Sequence, residues 1–264
     1  MSSFTSGASA VRRPTLDVER KLWREGHRWV AGIDEVGRGA WAGPLSVGVA
    51  VVHAGTRASS MPVWLRDSKT IPEERREGAF VEIARWCADA AVGHASAQEC
   101  DRWGMTLAWR LAAHRALCAL EIAPDALLID GPHDLLRGRP AAFAPGECAD
   151  AAPGEQRAET SGILQATCAP GGRGTPELPG AHVPSTILTI VGGDARCAAL
   201  SAASVLAKVV RDRLMRDDAV HFPPYSFERN KGYPSPRHQM ALRGYGLSAI
   251  HRRTWAYVED LPWR

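Results

Sequence analysis

The chain has 264 residues, 45% of them hydrophobic and 23% charged, with a formal net charge of +3. That length supports one full hydrophobic core with a small appended portion. No run of about 18 apolar residues is present, so a helical membrane span is excluded. The opening "MSSFTSGASAVRRPTLD" lacks the apolar stretch of a secretory signal. Residues 1–28 are therefore expected to be a loose leader, residues 29–264 a single domain, and the location cytoplasmic. Six cysteines, at 87, 100, 118, 148, 168 and 197, are scattered without a C-x-x-C pair. This argues against a zinc site and fits reduced thiols. From Ser201 onward eleven Lys/Arg face six Asp/Glu. Such a surplus is either a polyanion footprint or a solvated helical surface, and charge alone favours the second.

In chain order, "WVAGIDEV" (29–36) and "LSVGVAVVH" (45–53) are β-branched apolar runs around a glycine-rich loop, predicted to pair as neighbouring strands. "DSKTIPEERREGAFVEIARWCADA" begins as a loop and becomes a helix, with Pro72 near its first turn and Glu73 and Glu74 at its positive end. "AVGHASA" (91–97) is a short third strand. In 104–120, Leu107, Leu111, Ala112 and Leu117 recur at helical spacing. "DALLIDG" (125–131) is a buried strand ending in an acid. Residues 137–184 hold 7 of the 18 prolines and no periodicity, so a long disordered loop is expected there. "TILTIVGGD" (186–194) resumes as a strand and 197–218 is a strong helix. From about 220 the tail is two turn-rich clusters and a short helix. This order predicts an α/β fold with a mixed sheet and a helical C-terminal portion.

Four acids fall at strand ends. Asp34 and Glu35 are adjacent, so on an ideal strand they point to opposite faces. Convergence on one site needs an irregular strand end, which Gly37 permits. Alone, the pair reads more simply as surface decoration. Asp130 reads equally as a turn-initiating residue of "DGPH" or as a carboxylate needing a partner. Asp194 alone is best read as a helix N-cap. Together they change the reading, because ligands gather at strand ends in open α/β sheets. Clustered carboxylates repel, and hard divalent cations such as Mg²⁺ or Mn²⁺ relieve that repulsion. Two such ions roughly 4 Å apart can activate water and stabilise the leaving oxygen of a phosphodiester. No "GxSxG" elbow competes, and Ser201 and Ser204 lie within a helix.

The segments "AGIDEVGRGAWAGPL", "DSKTI", "LLIDG", "GGDARCAALSAASVLAKVVRDRLM" and "NKGYPSPRHQMALRGYGLSAIHRRTW" occur in the order found in bacterial ribonuclease HII. The chain resembles that family over most of residues 30–255. The resemblance implies a ribonuclease H-like mixed sheet flanked by helices. It implies an endoribonuclease that cleaves the RNA strand of RNA–DNA hybrids. It also implies cutting 5′ to single ribonucleotides in duplex DNA, leaving 3′-hydroxyl and 5′-phosphate ends, with a role in ribonucleotide removal. Asp34, Glu35, Asp130 and Asp194 would be the catalytic metal ligands for Mn²⁺ or Mg²⁺. In that scheme Asp34 bridges two ions, Asp130 and Glu35 complete the shell, and Asp194 holds the second ion. Gly37, Arg38 and Gly39, with Tyr233, would sense the ribonucleotide, since only the 2′-OH separates RNA from DNA at one nucleotide. Arg38 and Ser68-Lys69 of "DSK" are candidate phosphate contacts, with Lys231 a weaker one; Lys69 reads equally as a surface lysine. A monomer is expected, with no protein partner indicated.

Three departures stand out. Ala40 replaces the family's usual proline, and Trp41 is unusual in that loop. The third and fourth acids are 64 residues apart, so an insert that leaves the sheet intact is expected within 137–184. Asp212 is read as a helix-surface acid. Two alternatives remain. One is a ribonuclease HIII-like hybrid nuclease, against which stand Arg38 between the glycines and the short stretch before the first strand. The other is a non-catalytic nucleic-acid-binding relative, which the four acids oppose.

Overall fold

The computed structural model describes residues 13–65, 71–137, 158–160, 163–166 and 180–261. The first two apolar runs form β1 (Trp29–Val36) and β2 (Leu45–His53), antiparallel, with Asp34 opposite Gly48. β3 (Asp89–Ala95) continues antiparallel beside β2. On the other side β4 (Ala126–Asp130) and β7 (Thr186–Ile190) add in parallel. β5 (Ala158–Thr160) and β6 (Ile163–Ala166) pair with each other, and β6 joins β3 in parallel. The result is one mixed seven-stranded sheet in the order β5-β6-β3-β2-β1-β4-β7.

The sheet is covered on both faces, and the two-residue period of its strands decides which side chains meet which helix. Ala31 and Ile33 of β1, Val47, Val49 and Val51 of β2, and Leu127 and Ile129 of β4 share a cluster with Trp109, Ala112 and Ala116 of α3 (Ala97–Ala119). The alternate residues Val30, Val52, Ala126 and Leu128 pack with Ala199 and Leu200 of α4 (Ala198–His221). Helix α2 (Glu73–Trp86) lies on the α4 side, where Phe80 and Ile83 meet Ala202 and Leu206. Helix α4 sits unusually close to the strands. A Cβ on Gly32 would lie 2.3 Å from the Ala199 backbone, and one on Gly48 2.4 Å from the Ala203 carbonyl. Alanines on the helix and glycines on the strands make this approach possible. No described helix is long and apolar enough to cross a membrane.

Two expectations need correction. Residues 1–12 lie outside the described residues, but 17–24 are not loose: they form α1 (Asp17–Arg24), with Leu16 and Leu22 buried. The cause is the start of α4, which has no side-chain cap of its own. Glu19 accepts from the Ala199 amide at 2.8 Å, and the Thr15 carbonyl accepts from Ala198. The leader thus satisfies amides that would otherwise be orphaned. Burial pushes the Glu19 carboxyl up to about 7. The stretch 137–184 is not structureless throughout, because its residues 158–160 and 163–166 extend the sheet past β3, where the β3 edge offers free backbone groups. Residues 138–157, 161–162 and 167–179 of that stretch are outside the described set.

Beyond α4 the chain forms α5 (Phe227–Asn230) and α6 (Pro236–Tyr245) around a second small core. Met215, Tyr225, Phe227, Leu242 and Tyr257 are buried there, and Trp41 stacks on Tyr257 with centroids 4.2 Å apart. Trp41, unexplained from sequence, is the tie between the glycine-rich loop and this C-terminal portion.

Gly32→Ala should lower the unfolding free energy by about 1–3 kcal/mol, the usual cost of overpacking. Thermal denaturation should show this as a fall of several degrees. An unchanged midpoint would mean that α4 is not seated on β1 as described.

Candidate active site

Parallel pairing sets two acids at one level. The β1–β4 ladder ends at Ile33 opposite Ile129, so the next residues, Asp34 and Asp130, emerge side by side. Both continue the series that faces α4. The third acid, Asp194, lies in a single turn of 3-10 helix (Gly193–Ala195) between β7 and α4. That turn is tied to β4, because the Gly193 amide donates to Asp130 Oδ1 at 2.7 Å. Carboxylate oxygens of Asp34, Asp130 and Asp194 all lie within 4.8 Å of one another.

Asp34 is 7% exposed. Its Oδ1 accepts from the Glu35 amide at 2.8 Å, and its carboxylate also takes a hydrogen bond from Ser204 of α4. Burial pushes its pKa up to about 8, with the neighbouring charges of Glu35, Asp130 and Asp194 adding to the rise and Ser204 opposing it. A convergent set of hard oxygen donors, one of them unable to ionise comfortably alone, is the donor chemistry that suits a divalent cation such as Mg²⁺ or Mn²⁺.

Glu35 is placed differently. β1 stays regular through Val36, so the adjacent acids keep opposite faces and Glu35 turns toward α3. The Trp109 indole Nε1 donates to its Oε2 at 3.2 Å, and Arg38 Nη1 lies 3.4 Å from its Oε1. The four expected acids therefore comprise a tight group of three with Glu35 alongside.

The glycine-rich loop that follows is held from below by two buried arginines. Arg211 of α4 donates to the carbonyls of Pro44, Ala42 and Lys231. Arg252 donates to those of Gly37, Arg38 and Gly43. Both side chains are fully buried. The Gly37 and Arg38 carbonyls are thus drawn inward, while the Arg38 and Gly39 residues themselves are exposed. Gly37 has φ +85°, and a Cβ there would meet Arg211 Nε at 2.2 Å, so only glycine fits. Its amide donates to Tyr233 Oη at 3.1 Å, and the Arg211 guanidinium sits 5.4 Å from the centre of the Tyr233 ring. Gly37 and Tyr233, 196 residues apart, are thus brought into contact, with Arg38 and Gly39 beside them.

Ser68 and Lys69 lie outside the described residues. Lys231 is not a free cation: it is 4% exposed and donates to Glu73 at 2.9 Å and to the Glu228 carbonyl. Asp212 is not on the surface either. It is 2% exposed, accepts from Lys208 and lies 3.5 Å from Arg76. Sequence reasoning missed Ser204, Trp109, Arg211 and Arg252. The two arginines fall in "KVVRDR" and "HRRTW", where nothing marks a buried charge.

Residues 31–142 and 160–258 match the family model described as Ribonuclease HII. A protein named Ribonuclease HII from Streptomyces coelicolor is 40% identical over 253 residues, which cover 95% of this chain and 88% of that relative. Ribonuclease H2 from Pyrococcus horikoshii OT3, a solved structure, aligns with TM-score 0.63 and 25% identity over 88% of this chain and 96% of that one. A crystal structure of Bst-RNase HIII in complex with Mn²⁺ shares the fold at TM-score 0.53 and 17% identity, over 88% and 68% of the two chains.

The raised Asp34 pKa has a consequence for stability. An acid whose folded pKa lies above its unfolded value stabilises the fold fully below the unfolded pKa, near 3.8. That contribution is lost as pH climbs toward about 8. In EDTA, Asp34→Asn should therefore gain thermal stability over the wild type as pH rises from 5 to 8. A difference that stays constant with pH would contradict the assigned burial.

Proposed function

The chain belongs to the ribonuclease HII family, and so to the metal-dependent ribonucleases H of type 2; we propose that it is an endonuclease that cuts the RNA strand of RNA–DNA hybrids. In duplex DNA it would cut 5′ to a single embedded ribonucleotide, leaving 3′-hydroxyl and 5′-phosphate ends that open the way to ribonucleotide removal. The observation that carries this reading is the juxtaposition of two features: the three aspartates Asp34, Asp130 and Asp194 within 4.8 Å, and the Gly37–Tyr233 contact on the adjoining loop.

Asp34, Asp130 and Asp194, with Glu35, are the residues that would hold Mn²⁺ or Mg²⁺; the Mn²⁺ complex of the HIII structure supports the choice of ion. Bound ions supply charge stabilisation at the phosphoryl oxygens and an activated water. The chain's own groups do the rest. Tyr233 Oη accepts from the Gly37 amide and keeps its O–H to donate. That donor, with the backbone of Gly37, Arg38 and Gly39, is suited to a ribose 2′-OH, and a deoxyribose offers it nothing. Such a site discriminates because its polar groups are left unpaired by the wrong sugar. Arg38, largely exposed, is suited to a phosphate, as are Ser68 and Lys69. Arg211 and Arg252 keep the loop in the shape these contacts need.

Asp34→Asn should reduce cleavage of a labelled RNA–DNA hybrid at least about 100-fold, since metal-derived stabilisation is worth several kcal/mol. Duplex affinity should change little. Equal losses of binding and cleavage would assign Asp34 to substrate binding instead. Tyr233→Phe should lower the preference for a ribonucleotide over a deoxyribonucleotide at the cut site by about 3- to 10-fold, the worth of one hydrogen bond. An unchanged preference would remove Tyr233 from the sensor.

A further inference from the structure

Glu35 is held through both of its oxygens, and the two holds differ in kind. Oε2 accepts from Trp109 Nε1 at 3.2 Å, and Trp109 is 2% exposed, packed in the core between the sheet and α3. Oε1 faces Arg38 at 3.4 Å, and the Arg38 side chain is 58% exposed. An indole N–H locked in a packed core is a fixed donor, with no freedom to follow the carboxylate elsewhere. An exposed arginine is an exchangeable one, and phosphate is among its preferred partners.

We propose that Trp109 is a positioning residue for Glu35. Its indole N–H anchors Oε2 and fixes the carboxylate at the rim of the Asp34–Asp130–Asp194 group, with Oε1 as the oxygen presented to a divalent cation. Arg38, exposed and 3.4 Å from Oε1, is the exchangeable partner that a cation at Oε1 displaces. The anchor matters because strand geometry starts Glu35 on the face opposite Asp34, so the direction of its carboxylate depends on what holds it. This rests on the proposed role of Glu35 as a metal ligand.

The test is a Mn²⁺ titration followed by calorimetry on four proteins: wild type, Trp109→Phe, Glu35→Gln and the double variant. Thermal unfolding of each reports separately on packing, since phenylalanine keeps a ring in the core. Trp109→Phe should weaken Mn²⁺ binding about tenfold, the usual consequence of removing a group that orients a metal ligand. In the Glu35→Gln background the same substitution should cause no further loss. If Glu35→Gln weakens Mn²⁺ but Trp109→Phe does not, or weakens it equally in both backgrounds, the anchor is overturned and the metal site stands. If Glu35→Gln leaves Mn²⁺ affinity unchanged, the role of Glu35 in metal binding fails, and the anchor with it.

Discussion

Asp34 is a carboxylate enclosed between the middle of the sheet and a helix, with two more carboxylates within 4.8 Å, and burial, with the neighbouring acids adding to it, pushes its pKa to about 8. An isolated buried charge of this kind is among the most costly features a core can contain. The structure around it is arranged to keep it there. Parallel pairing of β1 with β4 fixes Asp34 beside Asp130, and the Gly193 amide on Asp130 draws in the turn that carries Asp194. Helix α4 closes the floor, reaching the strands only because glycine and alanine face each other across the contact. The cost is offset when a divalent cation binds, which makes metal affinity and fold stability two readings of one repulsion.

The second organising element is a pair of arginines that work inside the protein. Arg211 and Arg252 together hold six backbone carbonyls, five of them between Gly37 and Pro44. They join the glycine-rich loop to α4 and to the C-terminal segment, and Trp41 on Tyr257 adds an apolar tie. The helical tail therefore shapes the loop beside the acids as well as lending surface. This also revises the meaning of the basic surplus after Ser201. Arg211, Lys231 and Arg252 are buried, and Arg213 and Arg216 are paired with Glu77. Part of that charge is therefore internal or already paired and is not offered to a polyanion.

The strands and the long helices were legible because their signals are strong and local. β-Branched runs at 29–36 and 45–53 became β1 and β2, and "ALLID" became β4 with its acid at the end. Helix α1 was not legible: "DVERKLWR" is short and mostly charged, and its burial comes from capping a helix about 180 residues later. The short strands within 137–184 owe their place to the open edge of β3, which no local pattern announces. At the site, the three aspartates could be inferred because each lies at or just after the end of an apolar run. Glu35 is the instructive case. Its adjacency to Asp34 implied opposite faces by strand geometry, and the regular β1 keeps them there. Trp109, the donor on the far side, lies within the apolar helical stretch 104–120, where no local pattern marks a partner for an acid.

We propose that this acid cluster, loaded with metal, cuts beside a ribose that the neighbouring loop recognises. The most direct measurement incubates the purified protein with an end-labelled DNA duplex carrying one ribonucleotide, with Mn²⁺ or Mg²⁺ and then with EDTA, and maps the cut at nucleotide resolution. The expected result is a single metal-dependent cut on the 5′ side of the ribonucleotide, abolished by EDTA and absent from an all-DNA duplex. A cut that survives EDTA, falls elsewhere, or fails to appear on this substrate would contradict it.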